Sequence, residues 1–487
     1  MIPSYRERIA GAFLDFGGGV FNVRHPDFGA VGDGRADDTR ALQLAIDAAG
    51  REGGTVWIPG GRYRFTGLLV VPANVQLMGA GNGAVLFADN STGNTISVRG
   101  SGVTVADLVL EGGTPGGIRI EGGAADVTIR NVHFRGLGQC VWLWTCSRVS
   151  VESCRFENTG YGVIQQRGHV SDGVRVAGCT IWDARADFVE ANCTLDAPSR
   201  GWIIEGNRYL GHAGYGTSAA TAGPENRFIG ITAVEGVVIA QNYCQNSGGD
   251  SAIHLEDVRG EIVILGNILK NCHTSHQNLG YIYLLHSEKH SIIAHNVFMH
   301  DDVERLGTSA YAVSASSGAY THHLVIEGNR FVGVDGGFGG LDLRFNFGPT
   351  IIANNQFVGL SAGIAANVTQ NVQVIGNYFV DCTRGIMADP QGATGGACVD
   401  WMVGSNVFHG TRRECILIRR NTHGTTPSGR WMVQANRFDA DVLGFDTEDM
   451  IATGNVLVGG AKLDLGLKEY TGSRGAVAEQ NFRFGNA

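Results

Sequence analysis

Short runs of alternating apolar and polar residues recur along most of the chain, and most of these runs contain an asparagine. Typical runs are VVIAQNYC (237–244), SIIAHNVF (291–298) and TIIANNQF (350–357). The alternation, rich in β-branched residues, predicts a short strand, a turn at the asparagine and a second short strand. The asparagines assigned to these turns are Asn131, Asn207, Asn242, Asn267, Asn296, Asn329, Asn355, Asn377, Asn406, Asn436 and Asn455.

The spacing of these repeats predicts the fold class. Successive repeats lie 19 to 35 residues apart, with most intervals near 25. A fixed strand–Asn–strand core with loops of variable length is typical of a solenoid, so we predict an all-β parallel β-helix of about 12–14 coils. Stacked asparagine amides would then hydrogen-bond from coil to coil. Cys154 and Cys179 occupy equivalent places in neighbouring repeats, which indicates inward-facing free thiols rather than disulfides or a metal site.

The segment from residue 21 to residue 64 has the pattern of an amphipathic helix followed by a strand. Candidate N-cap residues are Asp37, Asp38 and Thr39. The apolar face of the helix consists of Ala41, Leu42, Ala45, Ile46 and Ala49. Such a helix would cover the apolar end of the solenoid and its unpaired strand edges. We therefore divide the chain into an N-terminal segment with the capping helix and first strand, residues 1–66, and one continuous β-helix, residues 67–487.

Composition restricts the class of partner. Glycine accounts for 73 of 487 residues and proline for only 10, which suits many tight turns. The formal net charge of −9 argues against a nucleic-acid or anionic-membrane partner, and no run is long and apolar enough to cross a bilayer. The N-terminus lacks a secretory pattern. We expect a cytoplasmic chain, a virion-associated chain, or a secreted chain whose leader has been removed.

Two features resemble the pectate-lyase-like superfamily: the asparagine repeats and the segment FNVRHPDFGAVGDGRADDTRALQLAIDAAGREGGTVWIPGGRYR (21–64). The resemblance implies a right-handed parallel β-helix with an N-terminal capping α-helix. The superfamily includes polygalacturonases, polysaccharide lyases, mannuronan epimerases and phage tailspike depolymerases, so the implied partner is a poly- or oligosaccharide. Some tailspike-like and glycosyl-transferring relatives form trimers, which leaves a homotrimer open as the oligomeric state.

One strand in each coil, just before the repeat, carries chemically active side chains on its predicted outer face. A groove rich in aromatic, carboxylate, histidine and arginine side chains suits sugar binding. The predicted substrate-binding residues are Trp142, Trp144, Gln166, Tyr281, Tyr283, His286, Asp342 and Arg344. The predicted catalytic residues are Asp187, Glu190, Asp250, His254 and Glu256. The register of strand 187–192 is ambiguous, so either Asp187 or Glu190 could face outwards.

The coil spacing allows both the inverting and the retaining geometry of glycoside hydrolysis, because carboxylates one or two coils apart would lie about 5–10 Å apart. The longest intervals between repeats fall near 210–226 and 301–322, and they predict loops that flank the groove. The neighbouring histidines His273, His276, His286 and His290 lack the spacing of a ligand set. We therefore predict no metal site.

The superfamily's motifs are only partly present. The segment GDSAIHLED (249–257) is similar to the Asp-Asp strand of polygalacturonases with Ser251 in place of the second Asp, and their Gly-His-Gly and Arg-Ile-Lys motifs are absent. The segment YGVIQQRG (161–168) corresponds to the Tyr-Gly-Phe-Asp-Pro-His-Glu strand of mannuronan epimerases, without its Asp and His.

The expected function is that of a glycoside hydrolase or a related glycosyl-transferring enzyme, with paired carboxylates as acid and base and with no cofactor. Two alternatives stay open. One is a polysaccharide lyase that acts by β-elimination, with Arg344 as its base and calcium as a cofactor. The other is a non-catalytic glycan-binding protein of tailspike or adhesin type.

Overall fold

The computed structural model describes residues 19–89, 96–112, 116–211, 226–247, 249–272, 280–286, 289–301, 310–316, 323–334, 337–390, 396–420, 427–467 and 477–484. These ranges contain 49 strands, numbered β1 to β49 in chain order, one α-helix and one 3₁₀ helix, Gly81–Gly83. They fall into two compact units. Unit 1 comprises residues 1–213 and 228–234, and unit 2 comprises residues 214–227 and 235–487. No helix in the described ranges has the length and apolar character needed to span a bilayer.

Unit 1 contains two kinds of parallel strand ladder, called here sheet I and sheet II. Sheet I of unit 1 consists of Leu69–Val71 (β5), Ile96–Val98 (β8), Gly116–Ile120 (β10), Gln139–Leu143 (β12), Tyr161–Gln165 (β15), Val189–Asn192 (β18) and Ile229–Thr232 (β21). Sheet II of unit 1 consists of Gly19–Asn22 (β1), Asp33–Asp37 (β2), Gly54–Ile58 (β3), Gly61–Phe65 (β4), Val75–Gly79 (β6), Ala84–Ala88 (β7), Thr104–Gly112 (β9), Ala124–Arg135 (β11), Cys146–Glu152 (β13), Arg155–Glu157 (β14), Ser171–Ala177 (β16), Thr180–Trp182 (β17), Ser199–Glu205 (β19) and Arg208–Tyr209 (β20).

Unit 2 repeats the same arrangement. Its sheet I consists of Ile253–Glu256 (β24), Gly280–Leu285 (β27), Ala310–Ser316 (β30), Phe338–Asn346 (β33), Ala362–Ile375 (β36), Arg384–Ala388 (β38), Glu414–Ile418 (β41), Asp441–Phe445 (β44) and Leu463–Leu467 (β47). The long strand β36 also joins sheet II. Sheet II consists of Val234–Ala240 (β22), Tyr243–Gln245 (β23), Arg259–Leu265 (β25), Ile268–Lys270 (β26), His290–Ala294 (β28), Val297–Met299 (β29), His323–Glu327 (β31), Arg330–Val332 (β32), Thr350–Ala353 (β34), Gln356–Val358 (β35), Tyr378–Val380 (β37), Val399–Gly404 (β39), Val407–His409 (β40), Met432–Gln434 (β42), Arg437–Phe438 (β43), Ile451–Thr453 (β45), Val456–Val458 (β46), Val477–Glu479 (β48) and Phe482–Phe484 (β49).

Equivalent strands of successive coils pair in parallel, as β24 with β27, β27 with β30 and β30 with β33. The described residues form about 14 turns of parallel β-solenoid, so the predicted all-β fold and its number of coils are confirmed. The division at residue 66 and the single continuous domain stay predictions.

The predicted capping helix, α1, spans Thr39–Glu52 and packs on β1, β3, β5 and β6 in unit 1. Its predicted apolar face is buried. Asp38 occupies the N-cap position, but its carboxylate accepts the backbone N–H groups of Val31 and Gly32 at 2.7 and 3.0 Å instead of capping the helix.

The asparagines of unit 2 form the predicted ladder between the two strands of sheet II. Asn296 shows the pattern, because its Nδ2 donates to Asn329 Oδ1 at 3.0 Å and to Ile264 O at 2.9 Å. The next amides continue the ladder to Asn481. Each buried amide thereby satisfies turn backbone that apolar residues would leave unpaired.

The assignment of Asn131 to the ladder is wrong. Asn131 is exposed, has a left-handed φ of 50° and donates to Asp107, while Val132 takes the buried position beside it. Cys154 and Cys179 are buried free thiols, as predicted. Asn207 Oδ1 accepts the N–H of Cys179 at 2.9 Å, so the thiols of unit 1 occupy positions that amides occupy in unit 2.

Candidate functional site

Sheet I of unit 2 aligns chemically active side chains from four coils on its outer face. In one row, His254 pairs with Tyr283, Tyr283 with Ser314, and Ser314 with Asp342. Two residues further along each strand, Glu256 begins a second row that reaches Arg344. The intervening residues Ile253, Leu255, Ile282, Leu284, Val313, Leu341 and Leu343 are buried. The period-two alternation predicted from sequence therefore positions the side chains of both rows on one face.

The carboxylate of Asp250 precedes this face and is held by an arginine. Arg227 Nε donates to Asp250 Oδ1 at 2.7 Å and Arg227 Nη2 donates to Oδ2 at 2.9 Å, and Ser251 Oγ donates to Oδ1 at 3.2 Å. Burial acts to raise the pKa of Asp250, but the contacts with His254 and Arg227 outweigh it and hold that pKa below its usual range. Asp250 is therefore a fixed negative charge at neutral pH.

His254 lies between two carboxylates. Its Nδ1 is 3.9 Å from Asp250 Oδ1 and its Nε2 is 3.8 Å from Glu256 Oε2, both beyond hydrogen-bond length. Neither ring nitrogen has a hydrogen-bond partner among the described residues. The ring packs edge-on against Tyr283 with 5.1 Å between centroids. Two groups that can exchange protons thus adjoin on neighbouring coils, and the imidazole has both nitrogens available.

Arg344 and Asp342 continue the face beyond Tyr283. Arg344 Nε donates to Asp342 Oδ2 at 2.7 Å, and the Arg344 side chain is 41% exposed while the Asp342 side chain is 6% exposed. Burial acts to lower the pKa of Arg344, but the ion pair with Asp342 outweighs it and raises that pKa. Burial raises the pKa of Asp342 despite Arg344. The arginine therefore stays cationic and accessible, as a binding group for an anion does.

Two tyrosines that interact electrostatically with Arg344 stay protonated. Burial raises the pKa of Tyr283, and the opposing field of Arg344 does not cancel this effect. Burial also raises the pKa of Tyr311, to about 12. At neutral pH both phenols are therefore proton donors.

Unit 1 carries the remaining predicted residues. Trp142 and Glu190 lie in one outer row of sheet I, each paired with Ile164, which resolves the ambiguous register in favour of Glu190. Trp144 lies edge-on to Trp142 with 5.4 Å between ring centroids, and the Arg119 guanidinium lies 4.9 Å from the Trp144 ring centre. Gln166 directly follows β15 and is half-buried.

Two predicted site residues face inwards. Tyr281 is fully buried, and its hydroxyl lies 2.5 Å from His300 Nδ1. The adjacent Ile282 is buried as well, and the strand presents Tyr283 and Leu285 outwards instead. Tyr281 was wrongly assigned to the substrate. Asp187 is 1% exposed, so it does not lie on the outer face either.

The ends of the sheet I strands hold one further group. His286 and Asp257 both adopt a left-handed φ in the turns after β27 and β24. Ligand atoms of Glu256, Asp257 and His286 lie within 4.8 Å of one another, so these three could hold a divalent cation. The predicted flanking loops fall largely on residues 212–225, 302–309 and 317–322, which lie outside the described residues.

Sequence reasoning missed Arg227, Asp257 and Tyr311. Arg227 precedes β21 outside any repeat, so no periodicity marks it as the partner of Asp250. Tyr311 starts an outer row, where its ring covers Gly339 of the next coil: a Cβ there would meet Tyr311 Cδ1 at 2.3 Å. A glycine at the equivalent position of the next coil could have identified Tyr311 as an outward-facing aromatic residue from the sequence.

Family models match two segments of the chain. Residues 20–98 match the model described as rhamnogalacturonase A/epimerase, pectate lyase-like, and residues 85–233 match the right-handed β-helix region model. The chain belongs to the pectate-lyase-like superfamily of right-handed parallel β-helices. The predicted handedness is thereby confirmed along with the fold.

Curated relatives match shorter stretches. Mannuronan C5-epimerase AlgE4 of Azotobacter vinelandii is 37% identical over 147 residues, 24% of this chain and 26% of that protein. Alginate lyase 7 of the same organism is 47% identical over 75 residues, 14% of this chain and 8% of that protein. The pre-neck appendage protein of Bacillus phage B103 is 32% identical over 101 residues, 19% and 11% of the two chains. The matches thus span about a quarter or less of each relative's length.

Solved structures share the fold at low identity. ORF18 of Geobacillus virus E2 superimposes with a TM-score of 0.50 and 17% identity over 61% of this chain and 59% of that chain. A DFA-IIIase from Arthrobacter chlorophenolicus A6 gives a TM-score of 0.50 and 12% identity over 73% and 94%. At such identity the likeness concerns the β-helix alone.

Proposed function

We propose that the protein is a carbohydrate-active enzyme whose reaction takes place on the outer face of sheet I in unit 2. The observation that carries the proposal is the contact between His254 and Tyr283, a base and an acid that adjoin on one face. The names of several relatives support a polyuronate as the substrate, since they are mannuronan epimerases and an alginate lyase.

β-Elimination is the reaction that these groups suit best. Arg344 would bind the uronate carboxylate and make the neighbouring C5 proton more acidic. His254 would take that proton, the C4–O bond would break as the C4–C5 double bond forms, and Tyr283 would give its proton to the departing oxygen. Because both side chains lie on one face, both transfers would occur on the same side of the sugar ring.

The other groups assist in this scheme. Asp250 is bound at both oxygens by Arg227, so it would orient His254 and stabilise the imidazolium rather than exchange protons itself. Arg344 is no longer a candidate base, because its ion pair with Asp342 raises its pKa further. The sequence-based roles of Asp250 as an acid or base and of Arg344 as a lyase base are accordingly revised.

Hydrolysis is a second candidate, favoured by a separate observation. Carboxylate oxygens of Glu256 and Asp257 lie within 4.8 Å of each other, near the separation of roughly 5–5.5 Å in retaining glycosidases. Glu256 would then act as the acid and base, and Asp257 as the nucleophile.

A product screen distinguishes these reactions. Purified protein is incubated with neutral glycans and with polyuronates, and reducing ends and ultraviolet absorbance are read together. Reducing ends with the absorbance of a conjugated double bond indicate elimination. Reducing ends without that absorbance indicate hydrolysis, and glycan binding without either product indicates a non-catalytic role.

A further inference from the structure

The second row of sheet I in unit 2 continues beyond Arg344. The pairings of β33, β36, β38 and β41 place Asn367, Asp389 and Arg419 after Arg344 in this row, one residue from each successive coil. Arg419 therefore lies three coils from Arg344, which is roughly 14 Å. The next residue in the row is Phe445, so the polar part of the row ends at Arg419.

Arg344 and Arg419 are presented to solvent in the same way. The Arg344 side chain is 41% exposed, while that of its partner Asp342 is 6% exposed. The Arg419 side chain is 42% exposed, while that of its partner Asp389 is 17% exposed. In each pair the carboxylate is covered and the guanidinium projects, so both ends of this stretch of the row offer a cation to a ligand.

The guanidinium of Arg419 has hydrogen-bond donors that no described residue uses. Its Nη1 lies 3.5 Å from Asp389 Oδ2, beyond the usual length of a hydrogen bond, and its Nε has no partner within the described ranges. Arg430 shows the contrast, because its Nε and Nη2 donate to the two oxygens of Asp400 at 2.6 and 2.7 Å. Arg430 is thus occupied by its own ion pair, whereas Arg419 can bind a further carboxylate.

An apolar strip runs beside this stretch, in the row that contains Asp342. The three residues after Asp342 in that row are Ala365, Met387 and Leu417. Ala365 and Leu417 are buried and Met387 is half-buried. The apolar faces of sugar rings can cover such a strip while carboxylates on the rings reach the guanidinium groups at its border.

We propose that Arg419 is the distal carboxylate-binding group of a groove that holds a polyuronate along the axis of the solenoid. The proposal rests on the proposed function for the class of substrate and for Arg344 as the group that binds the reacting sugar. A sugar residue in a linear chain is about as long as one coil, so Arg419 would meet the third uronate beyond the one at Arg344. A chain of four or more uronates then contacts both arginines, whereas a disaccharide at Arg344 contacts only one.

Calorimetric titration of the full chain with a disaccharide and a hexasaccharide, of mannuronate and of galacturonate, tests the groove. All proteins carry His254→Gln, so that the proposed reaction does not consume the ligand. The hexasaccharide is expected to bind at least about tenfold more tightly than the disaccharide. Adding Arg419→Gln should weaken hexasaccharide binding at least about tenfold and leave disaccharide binding unchanged.

The matched control is Arg413→Gln. Arg413 is exposed and lies six residues before Arg419, at the opposite end of β41. Its substitution removes the same charge from the same coil, and both oligosaccharides should bind as they do without it. A weaker hexasaccharide in this control would mean that net charge, rather than the position of Arg419, determines the affinity, and would overturn the proposal.

Circular dichroism establishes that each variant is folded. If Arg419→Gln is not, Arg419→Lys is measured, which keeps the charge but loses the bidentate geometry and should weaken hexasaccharide binding about threefold or more. Chromatography of the oligosaccharides after titration separates the two proposals, because cleavage by the His254→Gln protein contradicts the proposed reaction and not the groove. A hexasaccharide that binds no more tightly than the disaccharide, or as tightly to a folded Arg419 variant as without that substitution, overturns the groove.

Discussion

The guanidinium of Arg227 donates hydrogen bonds to both carboxylate oxygens of Asp250, with Nε 2.7 Å from Oδ1 and Nη2 2.9 Å from Oδ2. Both side chains are largely buried, with 18% and 7% of their surface exposed. A carboxylate bound in this way is a structural charge, and the reactive group beside it is the imidazole of His254. The proposed reaction therefore rests on proton transfer rather than on a pair of free carboxylates.

Asp250→Asn is expected to lower stability as well as activity. The substitution leaves the buried Arg227 cation without its counter-charge, which costs about 3 kcal/mol. Urea unfolding monitored by circular dichroism measures the free energy difference, and the double variant Asp250→Asn/Arg227→Met should recover part of it. A single variant as stable as the wild type would mean that the ion pair contributes little.

The stability difference between the wild type and Asp250→Asn should depend on pH. Because the folded-state pKa of Asp250 is lowered, its contribution is complete above the unfolded-state value of 3.8 and is lost as the pH falls from there toward the folded-state pKa. Unfolding free energies measured from pH 7 down to strongly acid conditions should therefore converge. Curves that stay parallel over this range would contradict the assigned pKa shift.

Tyr283→Phe and Tyr281→Phe form a matched pair on one strand. Tyr283→Phe removes the proposed acid from the outer face, so activity should fall about 100-fold or more while the melting temperature stays unchanged. Tyr281→Phe removes a buried hydroxyl bonded to His300, which should cost about 1–2 kcal/mol of stability and little activity. The opposite pattern would mean that the inward and outward assignments are reversed.

Glu256→Gln separates the two candidate reactions. The side chain is 39% exposed, so the substitution should leave stability unchanged. If hydrolysis occurs, loss of the acid and base cuts kcat by about 100-fold or more. If elimination occurs, only a charge beside His254 is lost, and kcat should fall less than tenfold.

Asn329→Ala should destabilise the coil stack. Asn329 donates to Ile293 O at 2.8 Å and to Asn355 Oδ1 at 3.0 Å, and it accepts from Asn296, so its loss leaves buried groups unpaired and should cost about 2–4 kcal/mol. The control Gln356→Ala lies next to the ladder on an exposed position and should change stability by less than about 0.5 kcal/mol. Thermal unfolding followed by circular dichroism compares the two, and equal losses would contradict the structural role of the ladder.

The sequence predicts most of this fold because each coil repeats the same local pattern. Val263 and Ile292 follow the same alternation one coil apart, and Asn267 and Asn296 mark the same turn. The pattern fails at Asn131, which lies one residue before the buried ladder position and adopts the left-handed turn conformation instead. It fails again at Tyr281, since two adjacent positions of β27 are both buried.

The site is harder to predict from the sequence than the fold, because its key contacts join segments that do not share the spacing of the repeats. Alternation along the strand places His254 and Tyr283 on one face, yet it says nothing about which charges are already paired. The ion pair of Asp250 with Arg227 depends on a residue outside the repeats, 23 positions earlier in the chain. Because ion pairing decides which carboxylates can react, strand alternation alone does not identify the reactive groups.

The most direct test of the central claim is product formation from a polyuronate by the wild type and by His254→Gln. The proposed elimination predicts ultraviolet absorbance from the new C4–C5 double bond in step with new reducing ends, and at least about a 100-fold slower rate for a folded His254→Gln. Reducing ends without that absorbance, or a His254→Gln variant as active as the wild type, would contradict it.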